Sequence, residues 1–254
     1  MIVARDCLEC FRRRKVILEI LLVLAASSDT PARASTSTPS AGLYFEQTTV
    51  VVPQGGVAGA GVRSRVWHSA RRMRLEAGDA PGGPALVLRL DEGRALRLDP
   101  ESKVAFEIDP AGLRARSHQD ASVVASLMGG GEDAMRTTAL EGERSIAGHA
   151  CHGYRLKSRT ASVDLWVAGD LPRGGSVFAD FLEWSGAAQA LPGLVAAIRE
   201  LPGFPLETRA RVSVLGETQE TLSTVTKIRV GPQEASLFEV PSGWRVQPSA
   251  PAAP

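Results

Sequence analysis

Cysteine and histidine are scarce in this chain, three and four in 254 residues, so the place where they gather is where chemistry would sit. His149, Cys151 and His152 fall in the stretch SIAGHACHGYRLKSRTASVDLWVAGDLP, from Ser145 to Pro172. A thiol beside an imidazole is the pairing of a nucleophile with its base, and a cysteine with two histidines begins a zinc set. The stretch nevertheless reads as two antiparallel strands joined by a short polar turn, and successive strand residues face opposite ways. Ile146, Ala150, His152, Tyr154 and Leu156 then share one side, with His149, Cys151, Arg155 and Lys157 on the other. His149 and His152 point apart, and Cys151 cannot use His152 as a base. With His68 and His118 the remaining histidines, a zinc ion lacks ligands. Cys151 is expected as a small core residue.

Other chemical signatures are equally thin. Cys7 and Cys10 have C-x-x-C spacing but precede a basic cluster with which they would be discarded. A G-x-S-x-G elbow is missing, and the acidic residues are scattered among turns and wet strand faces. The glycines between Gly55 and Gly61 are followed by the strand-like VRSRVWH, so no helix N-terminus is there to receive a phosphate, and a hairpin loop is expected. The expectation is a protein without catalytic residues, metal or cofactor.

The N-terminus has the layout of a secretory signal. Arg12, Arg13, Arg14 and Lys15 form a positive region, Val16–Ala26 is an apolar run, interrupted by Glu19 and too short to span a bilayer permanently, and Ala32-Arg33-Ala34 is a small-x-small cleavage site. Arg13-Arg14-Lys15-Val16-Ile17 also has a loose twin-arginine look, but ordinary export is the better reading. No cysteine follows the run, so lipid anchoring has no support. The expected organisation is a signal peptide over 1–34, a linker over 35–41, one domain over 42–247 and a disordered tail over 248–254. Removing residues 1–34 takes away 6 of 29 Lys+Arg and 4 of 28 Asp+Glu, which leaves 23 against 24. Such a balance lacks the basic excess that phosphate neutralisation needs, so nucleic acid is not an expected partner.

The elements that would position a site are mostly strands. Leu43–Val52 is rich in Thr and Val with Tyr44 and Phe45, and Val62, Ser64, Val66 and His68 alternate with Arg63, Arg65 and Trp67. Met73 and Leu75 continue the pattern against Arg72, Arg74 and Glu76. Leu86, Leu88 and Leu90 lead into Asp91-Glu92-Gly93, Leu96 and Leu98 return, and Val104, Phe106 and Ile108 follow the turn Asp99-Pro100-Glu101-Ser102. One-sided alternation with short loops specifies an antiparallel meander, and the arginine stripe is expected as its solvated face. The covering elements are expected to be helices: Ser122–Met128, Ser176–Ser185, and a segment opened by Pro192 and closed by Pro202-Gly203 with Leu194, Val195, Ile198 and Leu201 at helical spacing. Glu207–Val214 and Thr221–Val230 read as a hairpin around Gly216-Glu217, and Ser236–Val246 as a final strand.

Five segments in order, EGERSIAGHACHGY (Glu141–Tyr154), VDLWVAGDLP (Val163–Pro172), GFPL (Gly203–Leu206), VTKI (Val225–Ile228) and LFEVPSGW (Leu237–Trp244), resemble an exported bacterial family known only as a domain of unknown function, of the 4412 type. That family is similar in architecture to the lipoprotein carriers LolA and LolB. The resemblance implies an α+β, mainly antiparallel β fold: a curved half-barrel sheet with helices covering its concave face. It brings no catalytic residue. Such a cavity holds an acyl chain, which gains roughly 0.8 kcal/mol per buried CH₂. The residues expected to line it are Phe106, Ile108, Val124, Leu127, Phe178, Phe181, Leu182, Leu194 and Ile198. The reading is an exported, periplasmic or secreted envelope protein binding a lipid or an acylated protein such as a lipoprotein. The alternative is a non-catalytic protein-binding or sensor module that meets an envelope partner through the arginine face, an open edge strand, Trp67 or Trp184.

Overall fold

The computed structural model describes residues 42–53, 58–109, 136–157, 161–172, 192–214 and 217–248. Residues 1–41, the tail beyond Pro248, the segments Ser122–Met128 and Ser176–Ser185, and Trp184 lie outside the described residues. Twelve strands join in one sheet: β1 (Leu43–Pro53), β2 (Val62–Ser69), β3 (Arg72–Ala77), β4 (Ala85–Arg89), β5 (Arg94–Asp99), β6 (Val104–Ile108), β7 (Arg136–Ile146), β8 (His149–Lys157), β9 (Ala161–Ala168), β10 (Phe204–Val214), β11 (Glu217–Val230) and β12 (Arg245–Pro248). Their order is β12-β6-β5-β4-β3-β2-β1-β11-β10-β9-β8-β7, so the sheet curls without closing and leaves β12 and β7 at its edges. Every pairing is antiparallel except β12 on β6.

Short local turns explain most of that order. Asp99 closes β5–β6 by accepting hydrogen bonds from the Glu101 and Ser102 amides, at 3.1 and 3.5 Å, and from the Ser102 hydroxyl at 2.8 Å. Ala147 and Gly148 both have positive φ, 49° and 88°, the geometry of a two-residue hairpin whose twist matches its strands. This turn corrects the expected face assignment: Ile146 ends β7 and pairs with His149 rather than continuing the strand of Ala150 and His152.

Among the described residues one α-helix is present, α1 (Pro192–Arg199), where the proline opening and the apolar spacing placed it, with Val195 and Ile198 buried. Among the described residues a set of helices over the concave face is not evident, and their strands form one large curled sheet. The expected last strand, Ser236–Val246, is instead a 3₁₀ turn (Ala235–Phe238) followed by the short β12.

That C-terminal segment accounts for a second correction. β11 ends beside β1, yet β12 pairs with β6, so residues 231–244 cross the breadth of β1 to β6. Phe238, Leu237, Val240 and Trp244 pack on Ala85, Val87, Leu96, Leu98 and Ala105. The arginine stripe shares this face and is therefore not plain solvated surface. Arg65 and Arg89 are buried, and Arg74 nearly so.

Candidate functional site: the Phe45 face

Register separates the two faces of the β1–β6 half. Phe45 stands opposite Val66, Val66 opposite Leu75, and Leu75 opposite Leu86; in the next row Leu43, His68, Met73, Leu88, Ala95 and Ile108 follow one another. On the far side of β1, Phe45 faces Ile228. The row is buried at Leu43, Phe45, Val66, Met73, Leu88 and Ala95 and half-buried at Leu75, Leu86, Ile108 and Ile228, all of one core cluster. Phe204 meets Phe45 edge-on, with ring centroids 5.3 Å apart. His68 sits in this apolar row, and burial pushes its imidazole down to about 4.

Of the residues expected to line a cavity, Phe106 and Ile108 stand two apart on β6 and so share this face. Phe106 is half-buried under the Arg97 guanidinium, 4.6 Å from the ring centroid. Leu194 and Ile198 lie in α1. Val124, Leu127, Phe178, Phe181 and Leu182 lie outside the described residues.

Farther along the strands the face changes character. Ser64 stands opposite Gln47, and Thr49, Ser223 and Thr208 stand side by side on β1, β11 and β10, with Thr221 two residues before Ser223. All six side chains are buried and uncharged. The Thr49 and Ser223 hydroxyls hydrogen-bond at 2.8 Å, whereas the buried Thr208 Oγ1 has no hydrogen-bond partner. Sequence reasoning missed this band. Its signal is in ETRAR, Glu207–Arg211, where small uncharged residues alternate with charged ones.

The opposite face holds its charges in pairs. Glu76, buried, takes two hydrogen bonds from Arg74, at 2.7 and 3.0 Å, and lies 3.6 Å from Arg65. Arg74 also donates to the Leu237 carbonyl at 3.1 Å and sits over Trp67. Arg89 binds Asp91, Glu92 and Glu239, the last at 2.6 Å, which ties the crossing segment to the sheet. Hydrogen bonding to Asp91 holds the Arg89 guanidinium above its usual range. On β8 and β9, Arg155 donates to both oxygens of Asp164, at 2.6 and 2.7 Å, and lowers its carboxyl.

The cysteine–histidine cluster comes apart. Cys151 is fully buried, its thiol donates to the His149 carbonyl at 3.5 Å, and burial pushes it up. His149 Nδ1 lies 2.7 Å from Asp170, and His152 is exposed. Among the described residues no three His, Cys, Asp or Glu side chains converge on a metal position. Nor, among them, is any helix long and apolar enough to cross a membrane.

Residues 125–244, from the span before β7 through the crossing segment, match the sequence family described as "Domain of unknown function (DUF4412)". Solved structures similar to the chain include an uncharacterized conserved protein from Thermus thermophilus, 11% identical with a TM-score of 0.43, where the match covers 82% of this chain and 91% of that one. A LolA superfamily protein from Nitrosomonas europaea is 9% identical at a TM-score of 0.31, with 80% and 91% covered. A DUF1329 family protein from Desulfovibrio piger is 12% identical at 0.32, with the same coverage. Curated protein sequences show no match to the chain. The DUF4412 match takes in β7 to β11, α1 and the crossing segment, while β1 to β6 lie before it.

Proposed function

We propose that this is an exported envelope protein that holds the acyl chain of a lipid or acylated protein against its Phe45 face. The observation that carries the reading is the apolar row across β1–β6 and β11 in a sheet that does not close. Leu75, Leu86, Phe106, Ile108 and Ile228 are only half-buried there, so apolar surface remains to be covered. Ten methylenes laid along it gain on the order of 8 kcal/mol before the costs of ordering are subtracted. The proposed role is binding, and the sealed Cys151, its thiol disfavoured as a thiolate, supplies no nucleophile at this face. Export rests on the Arg12–Lys15, Val16–Ala26 and Ala32–Ala34 pattern.

A second reading, a module that binds an envelope protein, is favoured by β7. This eleven-residue strand is exposed along almost its whole length and forms one edge of the sheet, where another chain's strand could add. Native mass spectrometry of exported material separates the two. The lipid reading expects a chain starting at Ser35 with extra mass that is released on unfolding and identified as lipid. A bare mass, with no uptake of a fluorescent fatty acid, overturns it in favour of the protein-binding module.

A further inference from the structure

We infer that the hydroxyl row Thr49–Ser223–Thr208 is the polar subsite of this binding face and takes an uncharged hydrogen-bonding group, the ester or hydroxyl of a neutral acyl lipid. This deepens the acyl-binding reading and rests on it. The three residues occupy neighbouring positions on β1, β11 and β10, so their side chains stand about 5 Å apart in a row across the sheet. Two of them satisfy each other at 2.8 Å. Thr208, 4% exposed, keeps its hydroxyl unpartnered. A buried hydroxyl without a partner is costly, and interiors rarely keep one. Valine has nearly the same shape without that cost, so the hydroxyl marks a place for something to bind.

The charge pattern says what kind of group. Ser64, Gln47, Thr49, Thr221, Ser223 and Thr208 are all uncharged. The neighbouring charges Glu207 and Arg209 alternate to the other side, where they pair with Arg144 and Glu220. An ionised headgroup on the row would be desolvated with no counter-charge, whereas an ester or hydroxyl loses far less. Along β1 the row is followed by Gln47 and then Phe45, where the apolar rows begin, so a guest anchored at Thr208 has its chain directed over Phe45, Val66 and Leu75.

The test is calorimetric titration of the full delipidated protein with monodecanoylglycerol and with decanoate, which share a chain and differ in head charge. The neutral lipid is expected to bind at least tenfold tighter at pH 8. Thr208→Val is expected to weaken it roughly fivefold to tenfold, the value of one lost hydrogen bond, while decanoate binding stays unchanged. Thr208→Ser should restore the affinity, and the Thr208→Val protein without lipid should melt no lower than wild type. Equal affinity of Thr208→Val for the neutral lipid would show that the row serves the fold or an internal water and overturns the inference. Decanoate binding as tightly as the glyceride overturns the claim of a neutral head. If wild type binds neither lipid, the acyl-binding reading itself fails, and the subsite with it.

Discussion

Cys151 shows how burial decides what a residue can do. Its neighbours in sequence suggest reactivity, but a thiol with no exposed surface, pushed up by desolvation, is a poor nucleophile at neutral pH. Native protein spanning residues 35–254, whose one cysteine is Cys151, should therefore leave a thiol reagent such as DTNB uncoloured at pH 8 and react with one equivalent once unfolded in guanidinium. Rapid reaction of the native state would disprove the sealed-core assignment. His68 allows a pH prediction. Burial lowers its imidazole to about 4 against an ordinary 6.5, so the native state prefers it neutral while the unfolded chain takes up a proton. The stability it contributes is complete above about pH 6.5 and is lost as pH falls toward 4, up to about 3 kcal/mol. Urea unfolding from pH 8 to pH 4 should show this loss in wild type and a flatter profile in His68→Leu; parallel profiles would rule the residue out as the cause.

The strands were legible in the sequence wherever one side of an alternating run is apolar and turns are short, as from Val62 to Ile108. The crossing segment was not. Leu237, Phe238, Val240 and Trp244 have a spacing that suits a strand, and nothing local reveals that their backbone crosses a sheet instead of joining it at once. The arginine stripe was misjudged for the same reason: Arg65, Arg74 and Arg89 look solvated until a distant segment covers them. The hydroxyl band is not legible locally, because Thr and Ser alternate along a strand in the same way on a solvated face as in a buried row. Two substitutions test the elements. A Cβ on Gly203 would stand 2.0 Å from the Ala168 carbonyl oxygen, backbone that cannot move without breaking the β9–β10 pairing. Gly203→Ala should cost on the order of 3 kcal/mol and lower Tm by roughly 10 °C. Phe238 is buried at the centre of the crossing contact, and Phe238→Ala should cost about 3–5 kcal/mol. Hydrogen exchange should locate the loss: amides of β12 and of β6 at their pairing exchange faster, and β8–β9 amides do not. Uniform acceleration would mean that the segment is not a separable clasp.

At the scale of the molecule, the chain builds two meanders, β1–β6 and β7–β11, and holds them together twice. β1 pairs with β11 on one flank, joining residues about 180 apart in sequence, and β12 returns to β6 on the other. The matched stretch 125–244 contains the second meander and the apolar residues of the crossing segment, but none of the strands β4, β5 and β6 on which those residues dock. Cut out alone, it would leave β11 an open edge fourteen residues long and expose Phe238, Leu237, Val240 and Trp244, surface of the kind that drives aggregation. A fragment of residues 125–248 should therefore lack a cooperative thermal transition, while residues 42–254 melt in a single one. Coexpression with residues 42–109 should recover a soluble pair, because the β1–β11 and β6–β12 contacts need no covalent link between the halves. Cooperative unfolding of the 125–248 fragment by itself would show that the second meander carries its own core, and that the first is an addition to it.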